Sequence, residues 1–142
     1  MKLGELTTLF DDKLTALRFK KWDLPFAYDN IPANILDRSF HLTVGQISSG
    51  PAVQLVHEFR VPIMVRLFFK GYRDPLSAMS AALSETDAIY AALLKPSVRL
   101  GGKDNLKDIR PVSVQPFPID STNDNSIILE LLFESVLQYR FT

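Results

Sequence analysis

Val53-Gln54-Leu55-Val56-His57-Glu58-Phe59-Arg60-Val61-Pro62-Ile63-Met64-Val65-Arg66-Leu67-Phe68-Phe69 is the stretch whose reading decides the fold. Its odd positions are Val53, Leu55, His57, Phe59, Val61, Ile63, Val65, Leu67 and Phe69. A second stretch behaves alike, with Ile127, Leu129, Leu131, Phe133, Ser135, Leu137, Tyr139 and Phe141 at its odd positions. Side chains on a strand point alternately to opposite faces, so each stretch presents one nearly unbroken apolar face. At ~3.3 Å per residue the first spans roughly 55 Å if straight. A compact domain of this length is only about 37 Å across. Strands of this length are expected to bend, break or project beyond the globule, as a surface built for assembly would require.

The neighbouring segments read outward from that strand. A first strand is expected from about Ser39 to Ile47, and Ser48-Ser49-Gly50-Pro51 turns it into the long one as a hairpin. Pro62 donates no backbone hydrogen bond, so the long strand should lie at an edge there, bulge or divide. Gly71 to Asp74 stop it; Asp74 suits an N-cap and Pro75 a first helical position. The helix that follows is expected to reach Leu94, burying Leu76, Met79, Ala82 or Leu83, Ile89 or Tyr90, and Leu93. A strand from Ile109 to Phe117 carries Pro111 and Pro116 and is followed by Pro118, so it should be short or an edge.

Before the first strand, Leu3, Leu6, Phe10, Leu14 and Leu17 recur at helical steps. They predict an amphipathic helix ending near Arg18-Phe19-Lys20-Lys21, where positive charge suits the helix dipole. Trp22 to Pro32 is aromatic and bracketed by prolines, and should run extended. The order α-β-β-α-β-β predicts a single α+β domain over residues 1–142, with a mostly antiparallel four-stranded sheet.

Composition limits the functional classes. The chain has 142 residues, 46% hydrophobic and 23% charged, which suits one soluble domain. Sixteen basic residues balance sixteen acidic ones, so no overall charge points to nucleic acid or a membrane surface. Cysteine is absent, which excludes disulfides, thiol nucleophiles and thiolate metal ligands. No apolar run approaches the ~18 residues of a membrane span. The N-terminus lacks a signal peptide's apolar core, so an intracellular origin is expected.

No catalytic or metal motif emerges. His41 and His57 have no third ligand at metal spacing. Asp120, Thr122 and Asp124 mimic the start of a calcium loop, but Asn125 and Leu131 stand where Gly and Glu are needed. Gly101-Gly102-Lys103 lacks the spacing of a phosphate loop, and no serine lies in a nucleophile elbow. No enzyme activity, cofactor or metal is therefore expected. Arg18, Lys20 and Lys21 beside Trp22 form the basic-aromatic cluster that could meet DNA, although a helix C-terminus attracts such charges without any ligand. The even faces of the two long strands carry Arg60, Arg66, Glu130 and Glu134, which are expected to pair across strands. The apolar residues among them suggest that this second face is covered by the second helix or by a neighbouring subunit.

The N-terminal helix, the segment from Leu24 to Pro32, the hairpin into a charged strand (Val61 to Lys70), the Asp-Pro helix start and the Asp/Asn loop before the last strand together resemble a tailed-phage tail terminator, of the kind typified by minor tail protein U. The resemblance spans nearly the whole chain in length and element order. It implies a virion protein made in the host cytoplasm, a homo-oligomer closed as a hexameric ring. Such a ring caps the tail tube, contacts a head-completion protein and passes DNA along its axis without sequence-specific binding or membrane contact. Candidate subunit contacts are Phe59, Val61, Ile63, Val65, Arg66, Phe133, Leu137 and Tyr139; Arg18, Lys20 and Lys21 are candidates for the DNA channel. A head-tail adaptor, a stopper and a ligand-binding α+β domain are the other readings.

Overall fold

The computed structural model describes residues 2–50, 56–94, 105–120 and 125–140. The elements are α1 (Leu3–Ala16), β1 (Lys20–Lys21), β2 (Ser39–Val44), β3 (Ser48–Ser49), β4 (Val56–Tyr72), α2 (Pro75–Leu93), β5 (Leu106–Asp120) and β6 (Asn125–Arg140). The fold is α+β, but the sheet has six strands rather than four. Its order is β1-β2-β4-β6-β5, with β3 also on β4. It is mixed, because β1 runs parallel to β2 while the other pairs are antiparallel. The two strands that alternation alone did not reveal are two residues long, too short to show a period.

β4 is neither broken nor divided at Pro62. It pairs with β6 from Val56 to Phe69 in a single register, and the shift comes only between Phe69 and Tyr72. There Gly71 adopts φ 85°, a backbone that L side chains seldom take. The interruption expected in β4 lies instead on its neighbour. β2 and β3 form one line along the same edge of β4, with Gln46 and Ile47 together opposite the single residue Val61, between Gly45, which bonds to Pro62, and Ser48, opposite Arg60. The Gly45 N–H donates to the Pro62 carbonyl at 2.9 Å, so the side of Pro62 that lacks a donor faces this bulge. A Cβ on Gly45 would stand 3.0 Å from the proline ring, which favours glycine at this contact.

The odd face of β4 and β6 is the core. Val61, Ile63, Val65, Leu67, Phe69, Leu129, Leu131, Phe133 and Leu137 are buried beneath both helices. α1 contributes Leu6, Phe10 and Leu14, with Phe10 set edge-on to Phe133 at 5.5 Å. The buried stripe of α2 keeps Ala82, Ile89 and Leu93 of the expected one and departs from it elsewhere. It is Ala78, Ala82, Thr86, Ile89 and Leu93, whereas Leu76 and Leu83 are exposed. The small side chains at Ala78 and Ala82 turn inward, and the leucines beside them turn to solvent.

α1 stops at Ala16, earlier than its basic tail suggested, and Lys20–Lys21 become β1. Its end is held by Arg38, which immediately precedes the neighbouring strand β2. That guanidinium donates to the Leu17 carbonyl at 2.7 Å, pairs with Glu85 of α2 at 2.7 Å and lies 4.1 Å over the Phe19 ring. One side chain thus joins both helices to β2, with Arg38 itself at φ 63°. Asp74 does cap α2: the Ser77 N–H donates to its Oδ1 at 2.8 Å, and this bond first of all holds the Asp74 pKa below its ordinary value.

Two outcomes follow. Phe133→Ala should cost roughly 3–5 kcal/mol, read as a loss in denaturant midpoint, because it empties a sealed site between α1, α2 and the sheet. The depressed Asp74 pKa means that its cap stabilises above the ordinary carboxylate pKa and fades as pH falls through the lowered one. Asp74→Ala should therefore lower the melting temperature at neutral pH and have little effect in strong acid.

Candidate assembly surface

The helical layer is shorter than the strands it covers. α1 has 14 residues and α2 has 19, so at ~1.5 Å per residue they span about 21 and 28 Å. β4 has 17 residues and reaches about 55 Å at ~3.3 Å per residue. The apolar odd face therefore runs past the start of α1. At that end Lys2, Leu3, Phe59 and Tyr139 line an open cleft of about 260 Å³. Phe59 and Tyr139 meet edge-to-face at 5.5 Å, and Leu3 remains 38% exposed. Burial raises the Tyr139 pKa above that of a free phenol, so its hydroxyl is uncharged at neutral pH. Along the adjoining edge Val44 and Ile47 are also exposed. Helix periodicity assigned Leu3 to the core stripe; only the mismatch of helix and strand lengths could have marked it as surface.

The eight side chains expected at a subunit interface divide into three groups. Val61, Ile63, Val65, Phe133 and Leu137 are sealed in the chain's own core, so they serve the fold and are closed to a partner while it persists. Their alternation reported burial, and the helices provide it. Phe59 and Tyr139 keep partial exposure in the cleft. Arg66 lies on the opposite face, where it binds Glu130 at 2.7–2.8 Å and the Phe26 carbonyl at 2.7 Å.

That opposite face is covered at one end by the aromatic segment, not by α2 as one expectation had it. Phe26 and Ile35 pack on Phe68 and Ile128, flanked by Trp22, Ile31, Phe117 and Ile119. The segment is not simply extended, since Ala27 and Asn30 close a turn. Arg66 and Lys70 hold it through the Phe26 and Ile35 carbonyls. Towards the other end the face carries ion pairs. Arg66 stands opposite Glu130, one cross-strand pair of the expected kind, but Arg60 stands opposite Val136 and lies 3.8 Å from Glu58. Glu134 is opposite Pro62 and 3.9 Å from Arg110.

The basic cluster does not form a single patch. Lys21 binds Asp11 at 2.8 Å, Lys20 is exposed on β1, and Arg18 is exposed at a left-handed backbone position (φ 68°). Lys21, Asp11, Thr7, Trp22, Asp23, His41 and Leu42 line a second cleft of about 350 Å³. His41 Nδ1 is 2.9 Å from the Trp22 carbonyl. No group of three or more metal-ligating side chains occurs among the described residues. None of the described helices is long and apolar enough to cross a membrane. Gly101 to Lys103 and Ser121 to Asp124, which carry the phosphate-loop and most of the calcium-loop readings, lie outside the described residues. No protein-family model and no curated protein matches the chain.

Phe59→Ser tests the division between core and surface. It should cost about 1 kcal/mol in stability, well below Phe133→Ala, because one side of the ring is already open. Thermal unfolding of the two variants side by side reads the difference.

Proposed function

We propose that this chain is a structural subunit of a tailed-phage virion, a tail terminator that closes as a ring on the end of the tail tube and joins it to the neck. One observation carries the reading: the apolar face of the longest strands continues beyond the helices and ends in an exposed cleft of Leu3, Phe59 and Tyr139. A monomer gains nothing from exposing these side chains together, whereas burying them against a neighbour is favourable by about 25 cal/mol per Å². A ring needs two unlike patches on each subunit. The cleft is one. The charged sheet face with Arg60, Glu134 and Arg110 is the other, and its mixed signs suit a neighbour of mixed signs.

The role is architectural, and the proposed partners are five further copies, the tail tube protein and a head-completion protein. DNA would pass through the ring without sequence readout. Arg18 and Lys20 are the exposed cations proposed to face it, while Lys21 is engaged by Asp11.

Mixing the purified chain with tubes assembled from the tail tube protein that this reading pairs it with tests the proposal. Electron microscopy should show a ring on one tube end, and mass measurement six copies per end. Phe59→Asp should fold yet fail to cap tubes. A chain that leaves tube ends bare at every ratio overturns the reading.

A further inference from the structure

The two outer edges of the sheet are treated differently. The Gly45 to Pro62 hydrogen bond makes even-numbered residues of β4 point their backbone groups at β2, and odd-numbered ones at β6. Even residues of β6 then face β5, as the Gln138 N–H donating to the Asn105 carbonyl at 2.8 Å bears out. Pro111, Pro116 and Pro118 all stand opposite odd residues of β6, namely Phe133, Leu129 and Ile127. Their nitrogens therefore face outward, and three donors are missing from the free edge of β5. That edge is closed to another strand.

The β2 edge has no such device before its bulge. β1 covers only Ser39 and Phe40, with the Trp22 N–H donating to the Phe40 carbonyl at 2.8 Å. By the same alternation Leu42 and Val44 turn their N–H and C=O groups outward, where no described residue pairs with them. The space beside Leu42, between the end of β1 and α1, is the cleft of about 350 Å³. From Leu42 to Ser49 the edge holds neither a proline nor a charge.

We propose that this edge pairs with the same edge of a second copy of the chain, antiparallel, about a two-fold axis through Thr43. Self-complementarity selects the occupant. Leu42 of one copy meets Val44 of the other in a hydrogen-bonded pair, and both are apolar, on the helix side of the sheet. Thr43 meets its own counterpart on the opposite face, a favourable cross-strand pair. An uncharged strand can face its own copy without repulsion, and a chain of zero net charge adds none. The bulge at Gln46 and Ile47 ends the regular edge just past this run. Such a contact is isologous and closes at two copies, so it is separate from the contacts of a ring and does not rest on the ring reading.

Light scattering over a concentration series, combined with amide hydrogen exchange at Leu42 and Val44, tests the pairing. The wild-type chain alone should populate a dimer, and both amides should become protected as the dimer forms. Val44→Pro places on this edge the device found on β5, and should raise the dissociation constant roughly tenfold by removing one hydrogen bond per copy. Val114→Pro, at an outward position of β5, should leave dimerisation unchanged. Should Val44→Pro fail to fold, Thr43→Lys serves, because its charge meets only solvent in the monomer and its own copy in the dimer. A monomer at all concentrations overturns the proposal. So does any oligomer, a hexamer included, in which the two amides stay unprotected, although a hexamer would leave the ring reading standing.

Discussion

The fold depends on one register, that of β4 against β6. Ile63 opposite Phe133, Val65 opposite Leu131 and Leu67 opposite Leu129 place the main core's side chains from both strands on the helix side, while Phe68 opposite Ile128 supplies the smaller core on the other face. Because the side-chain period is two, a slip of one residue would exchange Ile63, Val65 and Leu67 for Met64, Arg66 and Phe68. It would bury Arg66 away from Glu130 and strip the aromatic segment of its carbonyl contact. The helices, the second small core and the edge chemistry all take their positions from this register.

Proline makes that register compatible with a long sheet. Four strand prolines occur among the described residues, and each turns its donorless side away from β6. Pro62 meets the bulge between β2 and β3, while the three in β5 meet the outside. The central β4–β6 ladder therefore keeps its donors. The same residues blunt one edge of the sheet and leave the other open, so protection against indiscriminate strand addition is selective.

The helices are fastened at one end and fall short at the other. Arg38 binds the end of α1, Glu85 of α2 and the Phe19 ring near the top of the sheet. At the far end α1 begins only at Leu3, beside Phe59 and Tyr139, and leaves the apolar cleft. Support beneath and exposed apolar surface at the tip are the features on which the proposed assembly role rests. With zero net charge, the contacts proposed for this chain would depend on shape and burial more than on long-range attraction.

Alternation by itself determined the two central strands and their apolar face, and Asp74-Pro75 determined the capped start of α2, because period and capping are local properties of the chain. It could not tell an apolar face that meets a neighbour from one that meets the chain's own helices; Val61, Ile63, Val65, Phe133 and Leu137 look the same in either case. Cross-strand pairing of these charges was legible, whereas which of them meet depended on register: Arg66 faces Glu130, but Arg60 and Glu134 stand two residues apart along the ladder. Lys20 and Lys21 resembled a helix end and became a strand, because Ser39 and Phe40 offered them a ladder. The length of the helices relative to the strands, the bulge opposite Pro62 and the open run from Leu42 to Val44 were decided only in three dimensions, where each residue's surroundings come from segments distant in the chain.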